Sequence, residues 1–247
     1  MKTPNVDLVL VIDTSSSMRP CIDQLKQHLR ELVRPMQGQV ARVRYGVVGC
    51  SASSSGRSTI YKVNTLAGNC KETTDALYGS SNQVELLSEN PDKVIKCLDG
   101  LTPSGNEDSL VALDYALDHP FGPVSDTKRI VALFSDEKLE DGVEGGAPLD
   151  AIPKLVEKIH ARRVKLFCAI PFSDAAQRLS EANGAEIEPV EGGNGLGGVD
   201  FRLLLGQMGK SISVASLQGG LQEKYERALF QQDRWGEGSG WSEDDRA

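Results

Sequence analysis

The chain has 247 residues, 39% of them apolar, and a formal net charge of −8 at pH 7. That length fills one sizeable α/β core and falls short of two comfortable domains. The acidic balance leaves no basic stripe to neutralise phosphates, which argues against a nucleic-acid partner, and no apolar run approaches the ~20 residues of a membrane span.

The first element is the most informative. Leu8-Val9-Leu10-Val11-Ile12 is a continuous apolar run that stops at Asp13, and two hydroxyls follow at alternate positions, Ser15 and Ser17. Such a run reads as a strand buried on both faces, as in parallel sheets. Ile22, Leu25, Leu29, Leu32, Val33 and Met36 then recur at three- and four-residue steps, one apolar helix face, with Pro35 helping to stop it. A second strand is predicted over 40–48. Gly and Ser fill 51–59, and 59–66 reads as a short edge strand. Residues 67–90 are ambiguous, with at most a turn or two of helix around 73–77.

Pro91 opens a helix running to Leu98, with Asn90 as its cap. A polar loop over 102–108 leads into a helix over 109–117. Residues 129–134 form another buried strand, ending in Ser135-Asp136-Glu137. A helix over 148–162, a strand over 164–170, a helix over 174–182 and a weaker strand over 185–190 follow. The glycine-rich segment 192–198 reads as a flexible surface loop, since it lacks the Lys-Ser/Thr and the spacing of a phosphate loop. A final helix spans 199 to about 213. Strands alternating with helices predict a doubly wound, mostly parallel sheet with helices on both faces.

The domain is expected to occupy residues 1–217. Residues 218–247 form an acidic, glycine-spaced tail, partly helical or disordered, which holds both tryptophans, Trp235 and Trp241. Aromatic residues in such a setting are candidate docking anchors for a partner, or fold back on their own domain. The N-terminus lacks a signal-peptide pattern. Cys21, Cys50, Cys70, Cys97 and Cys168 have no C-x-x-C spacing, and three histidines are scattered. Reduced thiols in a cytoplasmic protein are the expectation.

Ligands of open α/β sheets bind beyond the carboxyl ends of strands. Two strands here end in an acid at that edge, at Asp13 and at Asp136. With Ser15 and Ser17 they form a hard, oxygen-only donor set suited to Mg²⁺ or Mn²⁺ (Ca²⁺ belongs to the same class) rather than zinc. A further contribution is expected from the loop 105–109.

The string Asp13-x-Ser15-x-Ser17 ending a buried first strand, with Asp136 ending a later one, resembles the metal-ion-dependent adhesion site of the von Willebrand factor A domain family. The likeness spans roughly residues 5–215 in element order. It implies a three-layer α/β/α fold, a six-stranded sheet with one short antiparallel edge strand, and six or seven helices. It also implies a non-catalytic protein-interaction module. The family's middle-loop threonine is replaced here. Glu107 is the best-aligned position, with Asp108 and Ser109 beside it. Either Glu107 or Asp108 takes part directly or through water, or Ser109 takes the threonine's role while Glu107 faces solvent. A third carboxylate would weaken the ion's capture of a partner's acid.

Within the family the chain is similar to intracellular bacterial members such as the TerY type of tellurium-resistance systems. That similarity implies cytosolic partners such as kinase–phosphatase components or AAA+ ATPases of the MoxR kind. A reading from a different class is a Mg²⁺-dependent phosphohydrolase of haloacid-dehalogenase type, with Asp13 as nucleophile. Such enzymes need an acid two residues on, where this chain has Ser15.

Overall fold

The apolar run Leu8-Val9-Leu10-Val11-Ile12 forms the body of β1 (Asn5–Asp13), which is buried from Val6 onward. Its side chains alternate between two cores: Leu8, Leu10 and Ile12 enter one, Val9 and Val11 the other. A strand sealed on both faces has no use for polar side chains, which is why the run is continuous rather than alternating. Each such side chain removed from water contributes about 1.5–3 kcal/mol. The computed structural model describes residues 3–36, 38–55, 58–66, 68–73, 86–101, 108–140, 148–182 and 185–217.

The remaining strands are β2 (Arg42–Ser55), β3 (Ser58–Thr65), β4 (Gly68–Thr73), β5 (Thr127–Phe134), β6 (Val164–Ile170) and β7 (Glu186–Pro189). The sheet order is β4-β3-β2-β1-β5-β6-β7. The five strands from β2 to β7 in that order are parallel. Helices α1 (Arg19–Val33), α2 (Pro91–Gly100) and α6 (Phe201–Leu217) pack on one face. Helices α3 (Ser109–Leu117), α4 (Pro148–Arg162) and α5 (Asp174–Leu179) pack on the other. The fold is three-layer α/β/α and doubly wound, as the alternation of elements predicts. Among the described residues no helix is long and apolar enough to cross a membrane.

The sheet differs from the expectation of six strands with one antiparallel edge: among the described residues it has seven, β3 runs antiparallel to both its neighbours, and the edge strand β4 therefore points the same way as β2. The segment 51–59, read as a glycine–serine loop, instead carries the ends of a long hairpin in which Ser55 pairs with Ser58. Thr73, expected in a helical turn, ends β4. The physical reason is the same in both places. A strand at a sheet margin is held by its backbone ladder, and serine-rich segments write no hydrophobic period into the sequence.

The chain leaves β1 through α1 to reach β2 on one side and later returns to lay β5 on the other. The β1–β5 junction is therefore the switch point at which connections diverge to opposite faces. Asn90 accepts the Asp92 N–H at 2.9 Å and caps α2, as predicted. Helix α6 starts at Phe201 rather than 199 because Asp200 caps it, accepting the Leu203 N–H at 3.0 Å. It runs on to Leu217. The tail 218–247, with Trp235 and Trp241, lies outside the described residues.

Candidate metal centre

Sheet register creates the site. Ile12 pairs with Phe134 in the parallel β1–β5 ladder, so Asp13 and Ser135 leave their strands at the same level. The backbone then turns sharply. Ser15 donates its N–H to Asp13 Oδ1 at 2.7 Å, and a single 3-10 turn, Ser16–Met18, leads into α1. Met18 is buried and pins that turn to the core. The turn presents Ser15 and Ser17 on one side, with their hydroxyl oxygens 2.9 Å apart. Ser17 donates to Asp136 Oδ1 at 3.0 Å. Asp13, Ser15, Ser17 and Asp136 are thus brought into one continuous polar chain.

Two residues that sequence reasoning missed hold the carboxylates. Ser135 donates its hydroxyl to Asp13 Oδ2 at 2.9 Å and accepts the Glu137 N–H at 3.1 Å. Gly195 donates its N–H to Asp136 Oδ2 at 2.6 Å, and Gly193 donates to the Asp136 carbonyl at 2.8 Å. The segment 192–198 is therefore not a free surface loop. Leu196 is buried within it, and Gly195 has φ +62° with its α-carbon pressed against the Ser17 carbonyl. Only a residue without a β-carbon fits that approach. The sequence signal was present in the glycines, but nothing local says which acid they serve.

The middle loop contributes differently. Asp108 is buried and caps α3, accepting the Val111 N–H at 3.1 Å, while Ser109 is the buried first residue of that helix. Glu107 lies outside the described residues.

The electrostatics are unbalanced. Asp13 and Asp136 are 2% and 0% exposed. Among the described residues neither carboxylate has a Lys, Arg or His partner within ion-pair distance. Burial pushes Asp13 up to about 6 and the charge of Asp136 adds to the rise, against the lowering effect of the Ser15 N–H and the Ser135 and Ser15 hydroxyls. The buried Cys21 thiol is also pushed up, by desolvation and by both acids.

Ser15 and Ser17 each bring one hydroxyl proton, enough for the Ser15–Ser17 contact and the bond from Ser17 to Asp136, and the oxygens of the set keep lone pairs for a cation. The donors are all hard oxygens, and the group fits a small divalent cation. Among the described residues no cluster of three or more His, Cys, Asp or Glu side chains is arranged for a metal. The candidate set has two carboxylates and two hydroxyls instead.

Architecture and site together define the class as a three-layer α/β protein with a buried acidic cluster at the carboxyl edge of β1 and β5. Among solved structures, proximal thread matrix protein 1 from the mussel byssus shares this architecture, with a TM-score of 0.50 and 16% identity over 85% of this chain. The matched region is 49% of that protein, so the chain spans about half its length. In all, 193 chains of solved structures match, too broad a likeness to indicate function. No protein-family model and no curated protein matches the chain.

Proposed function

We propose that the chain is a non-catalytic protein-interaction module of the von Willebrand factor A type, acting through a divalent cation held by Asp13, Ser15, Ser17 and Asp136. One observation carries the reading. Two adjacent carboxylates are buried without a counter-charge, and removing charge from water uncompensated is strongly unfavourable. A bound Mg²⁺ or Mn²⁺ supplies that counter-charge and an open position for an acidic side chain of a partner. The chain's own residues do the rest: the 3-10 turn aims two hydroxyls, and Ser135 and Gly195 hold the acids.

Exposed apolar surface near the site supports a protein partner. Phe172, 64% exposed, follows β6 at the same sheet edge. Its neighbour Pro171 packs near Gly192, which lies against the Asp136 carbonyl. A solvent-facing aromatic of this kind is a common anchor at interfaces. We place the protein in the cytoplasm, consistent with free thiols at Cys21, Cys97 and Cys168. The family resemblance makes kinase–phosphatase or MoxR-type ATPase components the first partners to try. Support for a phosphohydrolase is thinner, because the position two residues after Asp13 is a serine where such an enzyme needs an acid.

The test is a pull-down from the native host with the chain as bait. The reading expects a protein retained in Mg²⁺, released by EDTA, and not captured by Asp13→Ala. Capture indifferent to both chelator and substitution contradicts it, as does phosphatase turnover that Asp13→Asn abolishes.

A further inference from the structure

The hydrogen bonds around the two acids bear on which cation the site accepts. Each of the four carboxylate oxygens already accepts one hydrogen bond. Asp13 Oδ1 accepts the Ser15 N–H and Oδ2 the Ser135 hydroxyl, while Asp136 Oδ1 accepts Ser17 and Oδ2 the Gly195 N–H. Ca²⁺ takes six to eight oxygens and commonly gathers them with bidentate carboxylates. Mg²⁺ takes six, keeps its waters, and needs only one or two carboxylate oxygens. Each oxygen keeps one lone pair, so an ion taking both oxygens of either acid must share each with a donor that already fixes its orientation.

Three of those donors are costly to move. The Ser15 and Gly195 N–H groups belong to the backbone, and Ser17 belongs to the donor set itself. Ser135 is the exception, since it touches Asp13 only through a side chain. It is fully buried, its N–H is bonded to the Ala169 carbonyl at 3.1 Å, and its hydroxyl is fixed further by the Glu137 N–H. The Glu137 carbonyl lies 3.3 Å from the same hydroxyl, farther than Asp13 Oδ2 at 2.9 Å, so Asp13 is the nearer acceptor of its single proton. Resting on the cation-binding reading above, the geometry points to Ser135 as a positioning residue that sets ion choice: by occupying one lone pair of Asp13 Oδ2 and fixing its orientation it disfavours a bidentate carboxylate and so favours Mg²⁺ over Ca²⁺. It is not a member of the motif that drew attention to the site, and it acts on the ion only through Asp13.

Groups that orient metal ligands typically change affinity about 10–100-fold when removed. Ser135→Ala is expected to lose about tenfold in Mg²⁺ affinity while Ca²⁺ affinity holds or rises, so the Mg²⁺/Ca²⁺ preference falls at least about tenfold. Ser135→Thr, which keeps the hydroxyl, is expected to restore the preference.

The experiment is a calorimetric titration of MgCl₂ and, separately, CaCl₂ into wild type, Ser135→Ala and Ser135→Thr, with circular dichroism in EDTA to establish that each is folded. A purely structural role for Ser135 would weaken both ions in parallel, leaving the preference unchanged and overturning the inference alone. Wild type binding neither ion would overturn the inference together with the cation-binding reading. A collapsed preference in Ser135→Ala, recovered in Ser135→Thr, supports it; should the threonine variant fail to fold, the alanine ratio decides.

Discussion

Ser17 and Asp136, 119 positions apart in the chain, are joined by a 3.0 Å hydrogen bond from the serine hydroxyl to Oδ1 of the acid. The bond closes the gap between the turn after β1 and the end of β5. Through Gly195 on the other oxygen of Asp136, it also ties the turn to the loop before α6. One buried acid thus organises three segments that share no sequence proximity.

The same burial makes Asp13 a liability for the cation-free fold. Its pKa is about 6 in the protein against 3.8 for an ordinary aspartate. The folded state therefore holds the proton more tightly than the unfolded one, and this contribution to stability falls as pH rises from about 4 to 6. In EDTA at pH 7, Asp13→Asn is expected to raise the melting temperature, with a gain of up to about 3 kcal/mol. Thermal denaturation of both proteins in EDTA checks it; a variant less stable than wild type would show that Asp13 is a structural acid.

His119 acts in the opposite direction over nearly the same range. It is buried beside Tyr115 and Phe121, and desolvation lowers it from 6.5 to about 4. The unfolded state binds the proton first, so stability is complete above about 6.5 and drains as pH falls toward 4. The two slopes oppose each other in the wild type. His119→Gln should remove the acid-side loss, worth about 3 kcal/mol at most, and Asp13→Asn should expose it. Urea unfolding at pH 4.5 and 7 for each variant separates them; parallel pH curves for wild type and His119→Gln would contradict the assignment.

Gly195→Ala is expected to be severe. The left-handed backbone alone costs an alanine about 1–2 kcal/mol, and its β-carbon would meet the Ser17 carbonyl. The loop must retreat and take its N–H from Asp136. We expect a loss above about 3 kcal/mol in urea unfolding, together with weaker Mg²⁺ binding. By contrast Gly198→Ala, whose β-carbon would meet nothing within 4 Å, should be mild. Equal effects at the two glycines would mean the loop is not held against the site.

What the sequence made legible was whatever is written locally. The uninterrupted run before Asp13 announces a buried parallel strand, and Asp13, Ser15 and Ser17 sit in one turn. Asp136 could be paired with them because a second apolar run ends in an acid. Ser135 and Gly195 were not legible. Ser135 matters only because Ile12 and Phe134 share a register, and Gly195 only because its loop crosses to Ser17. At the other end of β1, Asp7 is fully buried in a bidentate pair with Arg44 at 2.8 and 2.6 Å and accepts the Gly122 N–H. That pairing too depends on neighbouring strands and leaves no trace in spacing. Both strands of the β2–β3 hairpin were legible over 40–48 and 59–66, but the extension of β2 to Ser55 was not, for its serines write no apolar period.

The central claim is that the cluster of Asp13, Ser15, Ser17 and Asp136 is a place for a divalent cation, and calorimetric titration of Mg²⁺ into wild type and Asp13→Ala addresses it most directly. The account predicts a saturable one-site heat in the wild type that vanishes in the variant. Equal heats in the two proteins, or no saturable heat in the wild type, would contradict it.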